Sequence, residues 1–410
     1  MDQLSHRKAT ARLRLLHSDG TPAGSCPVSA DQTSHSFLFG CGAFDAVAMM
    51  RAEEDRRAAL ARRMEKWLSL FNYGTLPFYW GRYEPVEGQT QEKETLAAAR
   101  WLRERGAQVK GHPLCWHTVC APWLLQYTNE EILRRQLERI HREVTAFSGV
   151  IGLWDVINEV VIMPEFDRYD NAVTRICREL GRVGLVKAAF SAARESDPGA
   201  TLLINDFNTS PAYERLLEEL LAAGVPISAI GIQSHQHQGY WGLEKLQDVL
   251  CRFSRFGLPI HFTENTLLSG DLMPRHIVDL NDWQVDSWPS TPEGEARQAD
   301  QISEMYTELF RHPLVEAVTT WDFTDGCWLR APSGFLREDD SEKPSFHRLK
   351  QLIHGDWETH SQLLTDPEGF LELTGFKGGY VLRVRGESAR FGLLNDTAEP
   401  QALILRPEVR

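Results

Sequence analysis

Six runs of apolar residues in the middle of this chain each end in polar or aromatic residues, and long amphipathic stretches lie between and around them. The runs are QVKGHPLCW, VIGLWDVIN, ATLLIND, ISAIGIQSH, LPIHFTE and VEAVTTWDF. A short run that is apolar throughout suits a strand buried on both faces, as in a parallel sheet covered by helices. Stretches such as AEEDRRAALARRMEKWLSLF, EKETLAAARWLRERG, NEEILRRQLERIHREVTAF and AYERLLEELLAAG carry apolar residues three and four apart, the pattern of helices with one buried face. Strand and helix in alternation imply βα units. Two architectures compete. A closed barrel gathers the ends of several strands on one catalytic face, which matches the polar strand ends here. A doubly wound open sheet fits less well, because no GxGxxG opens a first βα unit and there is no Walker motif. The sequence therefore predicts an α/β fold, a (β/α)8 TIM barrel.

The flanks read differently. From Thr10 to Phe39, and again after His354 in FLELTGF, GGYVLRVR, RFGLLN and ALILRP, short alternating runs are broken by turn residues. This divides the chain into an N-terminal β-unit at 1–38, a catalytic barrel at 39–354 and a C-terminal β-unit at 355–410. A barrel core needs roughly 250 residues or more, and a chain of 410 residues has room for it. Neither flank is long enough to bury a good core alone, so the two are expected to pack together beside the barrel as one accessory unit.

Charge and composition remove several classes of partner. With 57 acidic and 44 basic residues the chain carries a net charge of −13, which repels a phosphate backbone, so no nucleic-acid partner is expected. No run approaches the roughly 18 apolar residues that cross a bilayer, so no membrane partner is expected either. The seven cysteines include no CxxC pair and read as free thiols. The basic N-terminus lacks an apolar segment followed by a small-residue cleavage site, which gives a cytoplasmic expectation.

Two of the strand ends carry a glutamate: Glu159 closes WDVINE and Glu264 closes PIHFTE. Most carboxylates in a soluble protein are simply solvated, and one such residue alone carries little. Two of them at the ends of strands four and seven face each other across a barrel mouth. A carboxyl pair about 5 to 5.5 Å apart is what hydrolysis of a glycosidic bond with retained configuration requires.

The motifs GHPLCWH (111–117), WDVINE (154–159), LLINDFN (202–208), GIQSH (231–235), FTE (262–264) and WDFTDGCW (321–328) stand in this order. Together, over roughly Phe37 to Ile353, they resemble the signatures of glycoside hydrolase family 10, best known for endo-β-1,4-xylanases. The resemblance implies that Glu159 is the acid/base and Glu264 the nucleophile. It implies that Asn158 holds the sugar 2-hydroxyl, that His235 hydrogen-bonds the nucleophile, and that Gln233 stands near the acid/base. His112, Trp116 and His117 fall where the family binds the sugar next to the scissile bond, and Trp321 and Trp328 where indoles stack on sugar faces. Any one of these tryptophans or histidines taken alone reads better as core packing. No cofactor or metal is implied, and the expected partner is an oligosaccharide or polysaccharide.

Two departures stand out. After strand two the family usually carries Glu-Asn and then Lys-Trp to grip the distal sugar, whereas this chain reads FNYGTLPFYWGRYEP. Leu76, Pro77 and Phe78 cannot make those hydrogen bonds, which leaves Tyr79, Trp80 and Arg82 as the expected binding groups of a reshaped subsite. After the nucleophile, Asn265 and Thr266 replace the usual Leu-Asp, so the histidine loses its supporting carboxylate. Xylan is the default substrate by resemblance, with another β-glycan or a glycoconjugate as its rival. Two readings from other classes are a metal-dependent barrel hydrolase using His112, His117, His235, His237 and His261, and a non-catalytic carbohydrate-binding protein.

Overall fold

The computed structural model describes residues 3–408; the outermost two positions of each terminal β-unit read from the sequence lie outside them. Contacts divide the chain into two compact units. One runs from Phe39 to His347, and the other joins the residues up to Leu38 with those from Arg348 onward.

The larger unit is a closed barrel of eight strands. They are β1 (Leu38–Gly42), β2 (Tyr73–Pro77), β3 (Gln108–His112), β4 (Leu153–Asn158), β5 (Thr201–Asp206), β6 (Ala229–His235), β7 (Ile260–Thr266) and β8 (Val315–Thr320). Consecutive neighbours from β1 to β8 run parallel, so the chain forms the (β/α)8 TIM barrel expected of its pattern. All seven residues of β7, and all but the last of β6, are buried. Side chains of both parities are covered, one set by the barrel interior and the other by the surrounding helices, which is why these strands read as unbroken apolar text.

The helices bury a single stripe. Asn129–Ala146 is typical: Ile132, Gln136, Arg139, Ile140, Glu143 and Val144 are its buried positions. It starts at a capping box, in which the Thr128 hydroxyl accepts the Glu131 N–H while the Glu131 carboxylate accepts the Thr128 N–H, an arrangement whose loss costs about 1 kcal/mol. The buried Arg139 donates to the backbone carbonyls of Leu114 and Phe78, fixing the segments that follow β3 and β2 and hence the rim of the barrel mouth. Phe78 itself is fully buried, its ring stacked on Tyr83 and edge-on to Phe147 and Trp154.

The smaller unit is all β. Strand Lys8–Leu16 lies between Phe370–Phe376, antiparallel, and Thr397–Ile404, parallel. A five-stranded sheet follows the order His360–Leu364, Pro27–His35, Gly378–Val384, Glu387–Leu393 and Arg406–Pro407. Alternate residues of Lys8–Leu16 point inward, and Leu13, Leu15, Val28, Leu373, Tyr380, Leu382 and Leu405 share one core. The sequence reading places the boundary after His354; in the structure it falls at Arg348. One reason is that the Ile353 carbonyl takes a hydrogen bond from the His35 ring, 3.2 Å away, which ties this stretch to the β-unit.

Candidate active site

Glu159 directly follows β4 and Glu264 is the fifth residue of β7. Glu159 has φ of +55°, a left-handed conformation that costs a non-glycine residue on the order of 1 kcal/mol or more and tends to occur where geometry is over-determined. Its N–H donates to the Asn205 carbonyl at 2.8 Å, which holds it there. A register irregularity separates Ile232 from Gln233 where β6 pairs with β7. Such bulges re-aim side chains, and beyond this one Gln233 stands opposite Glu264.

A continuous hydrogen-bonded chain links the two carboxyl groups. Gln233 donates to Asn158 Oδ1 and to Glu159 Oε1, both at 3.1 Å. The Asn158 amide donates to Glu159 Oε1 at 3.1 Å. The Asn205 amide donates to Asn158 Oδ1 and to Glu264 Oε1, both at 2.8 Å, and its own oxygen takes the Thr263 hydroxyl at 2.5 Å. Trp116 donates its indole N–H to Glu159 Oε2 at 2.9 Å, and His235 Nε2 lies 3.0 Å from Glu264 Oε2. Gly231 leaves room for this bridge, because a Cβ there would stand 2.5 Å from Asn205 Oδ1.

The surroundings push the two acids in opposite directions. Burial first, and the neighbouring charge of Glu264 second, raise Glu159 from 4.5 to about 8. Burial would raise Glu264 as well, but His112, the hydrogen bond from His235, and Lys110 outweigh it, and its net shift is downward. Two titratable groups driven apart in this way are the signature of an acid and an anion sharing one site. Lys110 and His112 are themselves organised by the buried Asp155, whose Oδ2 is 2.7 Å from Lys110 Nζ and 2.7 Å from His112 Nδ1. His112 Nε2 then lies 3.8 Å from Glu264 Oε1.

Most of the residues named from sequence converge here. The Trp321 ring lies 5.3 Å from that of His112 and 5.9 Å from that of His235, and the Trp328 ring is 4.5 Å from His235. The Tyr79 ring is 5.6 Å from both His112 and Trp116, and Arg82 lies 5.8 Å from that ring at the exposed rim. His117 is buried behind Trp116 against Phe166, and burial lowers it to about 4, so it is a neutral ring.

Trp80 requires a correction. It is 5% exposed, its indole N–H is held by Glu84 at 3.0 Å, and Trp123 and Arg139 cover its ring. The fold turns it into the interior and away from the carboxyl pair. At the second departure, the Thr266 hydroxyl stands 3.4 Å from His235 Nδ1 and 3.2 Å from His237 Nδ1, a neutral group in the expected carboxylate's place. Asn265 braces three strands through the Ser234 hydroxyl and the Thr319 carbonyl. The five histidines of the metal reading do not form a ligand cage: among the described residues no group of three or more His, Cys, Asp or Glu is placed to hold a metal ion. No helix among them is long and apolar enough to cross a membrane.

Sequence reasoning missed Asn205, Lys110 and Asp155. A signal for Asp155 existed, a charged residue between the apolar Trp154 and Val156 of a strand, a position that demands a partner.

Comparison with known proteins gives a consistent picture. The model of glycosyl hydrolase family 10 matches residues 76–351. The endo-1,4-beta-xylanase/feruloyl esterase of Xylanibacter ruminicola is 28% identical over 312 residues, covering 69% of this chain and 42% of that protein. The beta-1,4-xylanase of Dictyoglomus thermophilum is 32% identical over 240 residues, 55% of this chain and 63% of that protein. The chain spans less than half the length of the first curated relatives it matches, 42%, 24% and 33%. Among solved structures, xylanase 10B from Thermotoga petrophila RKU-1 in complex with xylobiose superposes with a TM-score of 0.63 at 23% identity, over 78% of this chain and 95% of that one.

Proposed function

Because this chain belongs to glycosyl hydrolase family 10, we propose that it is a retaining glycoside hydrolase acting on β-1,4-xylan or xylo-oligosaccharides, with Glu159 as acid/base and Glu264 as nucleophile. The observation that carries this reading is the carboxyl pair joined through Asn158, Asn205 and Gln233, with one acid raised to about 8 and the other lowered.

At neutral pH Glu159 holds a proton and Glu264 does not. Glu264 attacks the anomeric carbon while Glu159 protonates the departing glycosidic oxygen, giving a covalent glycosyl ester. Ester formation removes the Glu264 charge, the second cause of the raised Glu159 value. Glu159, which has given up its proton and is no longer pushed upward by that charge, stays an anion and can accept a proton from the incoming water, and the second displacement restores the original configuration. Asn158, beside Glu159 and joined to Glu264 through Asn205, and His112, beside Glu264, offer polar atoms for the sugar hydroxyls, and Trp321 and Trp328 offer flat faces.

A second reading keeps this chemistry on a different β-glycan or glycoconjugate. It is favoured by the end of β2 and the segment after it, where Leu76 and Phe78 are buried and Pro77, Tyr79, Gly81, Arg82, Tyr83 and Pro85 line the open pocket beside the site. Digestion of xylo-oligosaccharides, xylan and a panel of other β-glycans tests both readings, with Glu264→Ala as the blank and product anomers followed by NMR. Turnover of xylosides with retention supports the first. Turnover of another glycan alone supports the second, and inversion or unchanged activity of the blank refutes both.

A further inference from the structure

A pocket of about 530 Å³ opens beside the carboxyl pair, with Phe44, Pro77, Tyr79, Arg51, Arg82 and Gln91 among its walls. That volume is within the range of small-ligand sites. The Tyr79 ring is shared: it faces His112 and Trp116 of the catalytic cleft as well as the pocket. Phe44 lies edge-on to Tyr79 and to Trp321, at 6.2 and 5.5 Å. A sugar bound at the carboxyl pair therefore has its next unit or its side branch at the pocket mouth.

Charge distinguishes this pocket from the rest of a chain whose net charge is −13. Two guanidinium groups line it, and among the described residues no carboxylate does. Among the described residues, Arg51 has only the neutral Gln91 amide oxygen, at 2.6 Å, and Arg82 only the Tyr79 ring. Of the acids near in sequence, Asp45 is engaged by Arg63, Glu84 by Arg142 and Trp80, and Glu87 by Arg135 and Tyr127, while the exposed Glu53, Glu54 and Asp55 next to Arg51 do not line the pocket. Two cations left free beside aromatic walls await an anion, and a planar guanidinium fork matches a planar carboxylate with two parallel hydrogen bonds.

We propose that the Arg51–Arg82 pocket binds a carboxylate-bearing sugar, a uronic acid unit of the glycan. This rests on the hydrolase reading above.

The test uses a xylo-oligosaccharide carrying one glucuronosyl branch and the same compound after reduction of its carboxyl to a hydroxymethyl group. Wild-type protein is expected to show kcat/KM about tenfold higher for the acidic compound, a modest preference because both arginines are exposed. The ratio is expected to shrink with added salt and to fall below about twofold in Arg82→Gln or Arg51→Gln. Equal rates for the two compounds, or a ratio kept in both variants, overturns the proposal. Should neither compound be hydrolysed, calorimetric titration of the same pair separates the two claims. Tighter binding of the acidic compound, lost in Arg82→Gln, upholds the pocket while the hydrolase reading falls; equal binding or none overturns the pocket.

Discussion

Replacing Glu264 with Gln removes one charge and keeps the shape of the side chain, and the neighbouring acid should report the loss directly. Glu159 sits at about 8 against an ordinary 4.5, with burial as the larger cause and the Glu264 charge as the second. At 1.36 kcal/mol per tenfold that rise is roughly 5 kcal/mol of penalty on the anion. Two charges about 5.5 Å apart, the spacing retention requires, interact by about 3 kcal/mol at an effective dielectric near 20. Removing one should lower the Glu159 midpoint by between about one and two pH units and still leave it well above an ordinary carboxyl. Carbon-13 NMR of labelled glutamate carboxyls in the two proteins measures this. A midpoint that does not move would mean that the acids do not sense each other. A fall to the ordinary value would mean that burial contributes nothing; either result refutes the account of how the pair is poised. In the wild type, kcat/KM should decline as pH rises through about 8, where Glu159 loses its proton, and again below the ordinary carboxylate range, where Glu264 gains one.

Trp116→Phe deletes the N–H that lowers Glu159 by binding its anion, so the alkaline limb of the pH–rate profile should move upward; a downward move would contradict the assignment. Asn205→Ala cuts the bridge between Asn158 and Glu264, and kcat should fall roughly 100-fold with a smaller change in KM, measured by steady-state kinetics; a loss under threefold would sink the bridging role. Lys110→Met strips the buried Asp155 of its cation and should cost about 3 to 5 kcal/mol in urea unfolding, an effect that an unpaired or solvated Asp155 would not show.

The barrel was legible because its strands and helices each repeat one unambiguous pattern. Runs such as ISAIGIQSH are apolar at both parities, and only a sheet covered on both faces explains them. Glu159 and Glu264 were legible as strand-end acids. Trp80 was misread because an indole in a loop gives no sign of its direction: what decides it is a hydrogen bond to Glu84 and a cover supplied by Trp123 and Arg139, residues 43 to 59 positions further along. Asn205 was overlooked for a related reason. Its importance lies in touching β4 and β7 at once, and adjacency across a barrel leaves no trace in local periodicity. The arginine pocket is likewise a product of folding, since Arg51 and Arg82 belong to different βα units.

Among the described residues, the strands Lys8–Leu16 and Pro27–His35 pair with other strands only in residues 360–407. On a ribosome adding about 5 to 20 residues each second, roughly 16 to 74 seconds separate the appearance of the first pair from that of its partners. During that interval the nascent chain carries two strands with unpaired edges, which are templates for pairing with the wrong chain. Translation speed and chaperone access, more than the stability of the finished barrel, should therefore govern how much soluble protein a cell obtains.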